Sequence, residues 1–484
     1  MFSFPKKANP KFPGMNAIAT FVSILAILAV LTFVAIILWY YRYRFISFIR
    51  HEHTPDMDSR IPEGYTDRAF YYRNRLSLRR MSGPFQYEEV YSMSFGREEQ
   101  SVPTTASEQG CNWKLSLTVT IGNDFKSGYY QALITDEVTL KTFPMYLIIG
   151  VRNPASMVIV APVSTWTAYN AWGGKSLYQN QFQNKTVYFV STQRPNTAFE
   201  VNHSIDVEAN TFNWFSETYP NVSVIPDYLL ESPKSLEHCE LLVLSYHCEY
   251  ITAEMHAAVR RVADRGASII SLGANQLYWV VRWNPNRTRM ECHKDVTLFE
   301  HSLAYGGMWK HHFHPQQEYL AGRYNGLGMH TFAPYRVLAA KEHWILAGLG
   351  VEPGDIFGME GIDGKPICGS ETDKVTMSNP NAEIIARGMN CEDESIGILY
   401  DPADKRWDGT GGGEMALAYR KNGSAVLNTA AIHSGAGLGV DTVFTGIVQN
   451  FVKRFGPKAE HGKNVRERPA EQMSVEHRTS AEAP

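Results

Sequence analysis

Glu240-Leu-Leu-Val-Leu-Ser-Tyr-His-Cys-Glu-Tyr250 opens on a continuous apolar run and ends on polar side chains able to do chemistry. An apolar run without alternation is what a strand covered on both faces needs. A helical face follows from Ala253 to Asp264, and then Ser268-Ile-Ile-Ser-Leu-Gly273, a second run of the same kind. Strand, helix and strand in that order predict parallel strands joined by a crossover helix. Upstream, Ser156-Met-Val-Ile-Val-Ala-Pro162 and Thr186-Val-Tyr-Phe-Val190 repeat the strand pattern. The expected fold of residues 153–456 is therefore α/β, a parallel sheet with helices on both faces.

Before this region the rhythm is β. Trp113-Lys-Leu-Ser-Leu-Thr-Val-Thr-Ile121 alternates, Gly122-Asn-Asp supplies a turn, and Gly128-Tyr-Tyr-Gln-Ala-Leu-Ile134 begins another strand. Alternation of this kind predicts a small β-rich subdomain over 85–152. Residues 42–84 carry Arg, Asp, Tyr and Pro with little apolar period and read as a linker, while 457–484 are polar and read as a disordered tail.

After a short N-terminal segment, 1–17, the stretch Ile18 to Tyr40 is nearly all apolar, and 18–41 is predicted to be one transmembrane helix. Trp39, Tyr40, Tyr41 and Tyr43 form an aromatic belt at its end, with Arg42 and Arg44 among the headgroups. The run is too long for a signal-peptide core, so it reads as an uncleaved, single-pass anchor. Lys6, Lys7 and Lys11 before it balance Arg42, Arg44 and Arg50 after it, so charge sets no orientation. N-x-S/T sites at Asn184, Asn202, Asn221, Asn286 and Asn422 lean toward a domain on the non-cytoplasmic side. The six cysteines show no metal-type spacing. A net charge of -3 without a basic block excludes the electrostatic footprint of a nucleic-acid binder.

In parallel sheets ligands sit beyond the carboxyl ends of the strands, where several loops converge. Three such loops carry informative residues: Thr165-Trp-Thr-Ala-Tyr-Asn-Ala-Trp-Gly-Gly174, Tyr246-His-Cys-Glu-Tyr250 and Gly273-Ala-Asn-Gln-Leu-Tyr-Trp279. They predict Tyr169, His247, Glu249 and Asn275 at one mouth. Hard oxygen donors suit a hard Lewis acid, and tyrosinate is an oxygen ligand of iron rather than of zinc. Three protein ligands leave positions at which a water is acidified and a carbonyl polarised, which is the chemistry of hydrolysis. Each residue alone has an ordinary reading: Tyr169 packed on the sheet, His247 capping a helix, Glu249 in a first helical turn, Asn275 in a loop turn. Their joint placement carries the argument.

These segments, with Ser127-Gly-Tyr-Tyr130, Tyr278-Trp279, His343-Trp344 and Gly354-Asp-Ile-Phe-Gly358, resemble the large (beta) subunit of N,N-dimethylformamidase and its relatives over roughly Glu88 to Phe455. The resemblance implies a catalytic part similar in fold to class I glutamine amidotransferases. It also implies a mononuclear iron, Fe(III), held by Tyr130, Tyr169 and Glu249, with His247, Asn275 and Lys294 as catalytic residues around it. Tyr129 competes with Tyr130; alternation places Tyr130 with Ala132 and Ile134 on one strand face and Tyr129 with Gln131 on the other. Two departures stand out: Cys248 occupies the place of a usual acidic residue, and Ile251 that of a usual tryptophan.

The leading expectation is a membrane-anchored, iron-dependent hydrolase of a small amide such as an N-substituted formamide. A small partner subunit and a homo-oligomer both stay open. A second reading makes Cys248 the nucleophile of an amidotransferase-like enzyme, and a third makes the domain a non-catalytic, membrane-anchored binding module. Gly409-Thr-Gly-Gly-Gly413 lacks the GK[ST] ending of a P-loop and reads as a loop, and no G-x-S-x-G elbow marks a serine hydrolase.

Overall fold

The computed structural model describes residues 73–458, apart from 97–99, 123, 152–153, 179–186, 197–203, 295–306, 310–316, 376–378, 380 and 391–411. The predicted span 18–41, the segment before it and most of the tail lie outside the described residues. Among the described residues no helix is long and apolar enough to cross a membrane.

The chain first builds a four-stranded antiparallel sheet from β1 (Arg73–Gly83), β2 (Gln86–Gly96), β3 (Gly128–Asp136) and β4 (Thr142–Ile149), in the order β2-β1-β3-β4. β1 falls entirely within 42–84, the range read as linker. Its Leu76 and Leu78 are buried beside Tyr130 and Ile149, an apolar face hidden in an arginine-rich sequence.

The central sheet has nine strands. Five are parallel neighbours: β7 (Val222–Pro226), β5 (Met157–Ala161), β8 (Leu241–Tyr246), β10 (Ser268–Gly273) and β20 (Ala425–Asn428). Side chains alternate between two cores, as the pleat requires. Ile159, Val243 and Ile270 face α2 (Ile205–Thr218) and α4 (Thr442–Phe455), whereas Val158, Val160, Leu242, Leu244 and Ile269 face α3 (Ala253–Asp264).

The remaining four strands correct the expected fold class. β19 (Glu414–Tyr419), β18 (Glu383–Gly388), β15 (Tyr335–Val337) and β16 (Ile356–Phe357) continue the sheet with every pairing antiparallel. The domain is thus a mixed, strand-rich structure, not a parallel sheet covered by helices in the manner of a class I glutamine amidotransferase. The cause is local. β19 returns to β20 through a tight turn in which Gly423 has φ +87 and the Arg420 N–H donates to Ser424 O at 2.9 Å, so no crossover helix is needed. Smaller sheets complete the molecule: β14 (Arg323–Ala333) with β17 (Cys368–Lys374), β9 (Tyr250–Ile251) with β11 (Trp279–Val280), and β6 (Phe189–Ser191) with β13 (Arg289–Glu291) and β12 (Arg282–Trp283). The short helix α1 (Val163–Tyr169) follows β5 directly.

Candidate active site

β8 ends at Tyr246, whose backbone enters the left-handed region at φ +55 and turns the chain sharply. β10 ends beside it at Gly273, where a Cβ would come 1.9 Å from Tyr246 O, so only glycine lets the two strand ends approach. The loops that follow are then laced together. The Cys248 N–H donates to Gln276 Oε1 at 2.7 Å, the Leu277 N–H to Cys248 O at 2.7 Å, and the Tyr278 and Trp279 N–H groups to Glu249 O at 2.9 and 2.8 Å. From α1, Thr165 Oγ1 accepts the Glu249 N–H at 3.0 Å, which docks the helix carrying Tyr169 against the same loop.

This framework presents polar side chains to one another in a dry place. Glu249 and His247 are buried. The Tyr178 hydroxyl donates to Glu249 Oε1 at 2.7 Å, and its ring, half-exposed, stacks on Tyr169 with centroids 4.4 Å apart. Glu249 Oε2 is buried without a hydrogen-bond partner among the described residues, and His247 Nε2 lies 3.5 Å from it. On the other side His247 Nε2 is 3.6 Å from Oε2 of Glu371, from β17. That oxygen accepts the Asn275 side-chain amide at 2.8 Å. Two residues along the strand, Asp373 accepts the Asn275 backbone N–H at 2.8 Å and the Asn428 amide at 3.0 Å. Lys294 holds its ammonium 3.3 Å above the Tyr178 ring centre, with the rings of Trp279 and Tyr250 at 5.0 and 5.2 Å.

Burial governs the protonation states. It pushes His247 down to about 3, so the imidazole is neutral at pH 7 and forms no ion pair with either carboxylate. Burial also lowers Lys294 to about 8, with Glu249 opposing. Glu249 is raised by burial and partly restrained by the Lys294 charge, while Glu371 is raised by burial and then by repulsion from Glu249. Two carboxylates face one ammonium, an excess of negative charge that costs several kcal/mol in a dry site unless a proton or a cation joins it. Among the described residues no three His, Cys, Asp or Glu side chains gather as a metal set. The donors gathered here are the phenols of Tyr169 and Tyr178 and the carboxylate oxygens, a hard set that suits a trivalent cation.

Of the residues expected from the sequence, Tyr169, His247, Glu249, Asn275 and Lys294 come together. Tyr130 is not among them. Its ring packs with Leu76, Leu78 and Ile149, and its hydroxyl donates to Lys126 O at 2.6 Å. Tyr129 occupies the opposite strand face, against Trp166 and Phe212. Alternation along β3 holds, but neither face delivers its tyrosine to the group around Glu249. Cys248 points away from its two neighbours into the apolar core, with Sγ near Ser245 O and Val160 O at 3.6 and 3.8 Å. Burial raises its thiol well above the ordinary range, which disfavours the thiolate a nucleophile needs.

Sequence reading missed Tyr178 and Glu371. Tyr178 lies just past the glycines of the Tyr169 loop. Glu371 and Asp373 alternate on β17, two acids at strand spacing inside Cys368-Gly-Ser-Glu-Thr-Asp-Lys374, and that period was the available signal.

Fold and site together define a mixed α/β protein in which a buried imidazole and carboxylate meet two partly exposed phenols beyond the ends of its parallel strands. The chain belongs to the family described as N,N-dimethylformamidase beta subunit-like, C-terminal, whose profile matches residues 76–446. No curated protein matches it.

Proposed function

We propose that the domain hydrolyses the C–N bond of a small amide, an N-substituted formamide being the class nearest the family's description. The observation that carries this reading is the placement of His247 Nε2 between Glu249 and Glu371, at 3.5 and 3.6 Å, beneath the stacked Tyr169–Tyr178 pair. Tyr169 and Glu249 are the proposed metal ligands, with the second phenol coming from Tyr178 on geometry or from Tyr130 on resemblance. Iron(III), when bound, would supply Lewis acidity to the reacting water and carbonyl.

The chain's own residues divide the remaining work. Glu371, raised to about 8 by burial and by repulsion from Glu249, takes a proton at Oε2 from the attacking water in its ionised form, so that turnover should rise as pH approaches 8. Asn275 holds that oxygen in line through its amide. The Lys294 ammonium stabilises the oxyanion that forms on the amide carbon. As the C–N bond breaks, Glu371 returns the proton to the amine nitrogen, so carboxylic acid and amine leave and the carboxylate is restored. Neutral His247 keeps the two carboxylates apart and lends its N–H to either. The apolar stretch Ile18 to Tyr40 would tie this chemistry to a membrane, on its non-cytoplasmic side.

The test is amine release from a panel of small amides by detergent-solubilised protein, after iron loading and after chelation. Turnover that needs iron supports the proposal. Turnover indifferent to chelation removes the metal, and none on any amide, with iron bound or absent, favours a binding module.

A further inference from the structure

Arg194 is buried, yet its nitrogens go to carbonyl oxygens. Nε donates to Ser191 O at 3.0 Å, one terminal nitrogen to Trp172 O and to Lys175 O at 3.1 Å, and the other to Asn170 O at 2.8 Å. Three of the four acceptors lie in Asn170–Lys175, the segment between Tyr169 and Tyr178. That segment has little regular backbone bonding of its own. Gly173 and Gly174 sit at φ +80 and +91, the Gly174 N–H closes one short turn onto Ala171 O, and the Leu177 N–H reaches Ala168 O across the base of the loop, leaving the carbonyls of Asn170, Trp172 and Lys175 to Arg194. Carbonyls removed from water need donors, and a planar guanidinium with five N–H groups satisfies several at once without moving.

The contact is reciprocal and anchored. The Asn170 amide donates to Pro195 O at 2.9 Å, so each side of the junction holds the other. Ser191 ends β6, which pairs with β13, and its hydroxyl donates to Thr288 O at 3.0 Å. The guanidinium therefore ties the loop to a sheet rather than to another loop.

We propose that Arg194 is a positioning residue for the candidate active site: it fixes the Asn170–Lys175 segment and thereby sets the separation and stacking of Tyr169 and Tyr178. Its bearing on a metal rests on the function proposed above, whereas its hold on the segment does not. Lysine cannot replace it, because one ammonium cannot span three carbonyls that diverge around a glycine turn.

The experiment compares full-length wild type, Arg194→Lys and Arg194→Met in detergent by amide hydrogen exchange and by visible absorption after iron addition. Peptides covering 168–178 should exchange at least about tenfold faster in both variants, with peptides from β8 and β10 unchanged. The iron-dependent band of the wild type should shift or weaken in both. Unchanged exchange over 168–178, or equal loss of protection throughout the molecule, would overturn the proposal. Should Arg194→Met fail to fold, Arg194→Lys decides by the same two readouts. A wild type with no band on iron addition sinks the metal reading alone, and the exchange data still judge Arg194.

Discussion

Asn275 spans two acids of one strand: its side-chain amide donates to Glu371 and its backbone N–H to Asp373, each at 2.8 Å. A residue in the loop after β10 thus sets the orientation of a carboxylate on β17. Asp373 is pushed up to about 6 by burial, against the two hydrogen bonds that favour its charged form. If Glu371 is the group that moves the proton, Glu371→Gln should lower kcat by roughly 10²–10⁴. The amide of glutamine keeps the volume, so the thermal midpoint should change little. Steady-state amine release and a melting curve check both halves. A variant that turns over at the wild-type rate would move the general base elsewhere.

The two candidate phenols make opposite predictions. Tyr178→Phe removes the donor to Glu249 Oε1 and should reduce bound iron and alter its visible absorption. Tyr130→Phe removes only a hydrogen bond to Lys126 O, typically about 1 kcal/mol, and should leave iron content and spectrum intact. Tyr169→Phe and Glu249→Gln should both lose metal. Metal analysis on the four variants separates the cases, and loss in Tyr130→Phe alone would favour the strand tyrosine.

Cys248→Ala should retain most of the hydrolytic rate, because the thiol is turned into the core and held neutral. The cost should appear in stability, on the order of 1–2 kcal/mol for a buried sulfur with near-carbonyl contacts. Loss of turnover with normal iron content would restore the cysteine mechanism.

Asp227 accepts the Ser164 N–H at the start of α1 at 2.8 Å and is completely buried. Burial raises it from 3.8 to about 7. The folded protein therefore holds this proton where the unfolded chain has released it, so its stabilising effect is complete below pH 3.8 and is lost as pH rises toward 7. The difference amounts to an order of 4 kcal/mol over that window. Asp227→Asn keeps an acceptor for Ser164 and should flatten the fall in stability between pH 4 and 7, measured by denaturant unfolding at several pH values. An unchanged slope would mean that Asp227 is not the source.

Three of the five parallel strands, β5, β8 and β10, were legible because strands covered on both faces must be apolar throughout, as in Leu241 to Leu244, whereas Thr186 to Val190, read as a fourth, ends in β6, which pairs antiparallel with β13. The antiparallel half was not. Glu383 to Gly388 and Glu414 to Tyr419 mix charged with apolar residues, and Glu414 faces inward only because Arg387 and Lys374 meet it. Composition cannot reveal such pairing. In the site, the residues on loops after strands were found by the rule that loops converge there. Glu371 escaped because it enters from the side, on a strand of a separate two-stranded sheet. Tyr130 does share a strand face with Ala132 and Ile134, but periodicity does not say whether either face of the strand reaches Glu249.

The wide spacing of the site along the chain has a consequence for biosynthesis. Tyr169 leaves a ribosome early, while Glu371 follows roughly 10–40 seconds later at the usual 5–20 residues per second. In that interval Asn275 has neither of the acids it later holds, and Glu371 is missing from beside His247. A nascent chain stalled before β17 would expose phenols and a carboxylate to whatever cations are at hand without the geometry to select among them. On the proposed metal reading, loading would have to wait until β17 has emerged and brought Glu371 to the site.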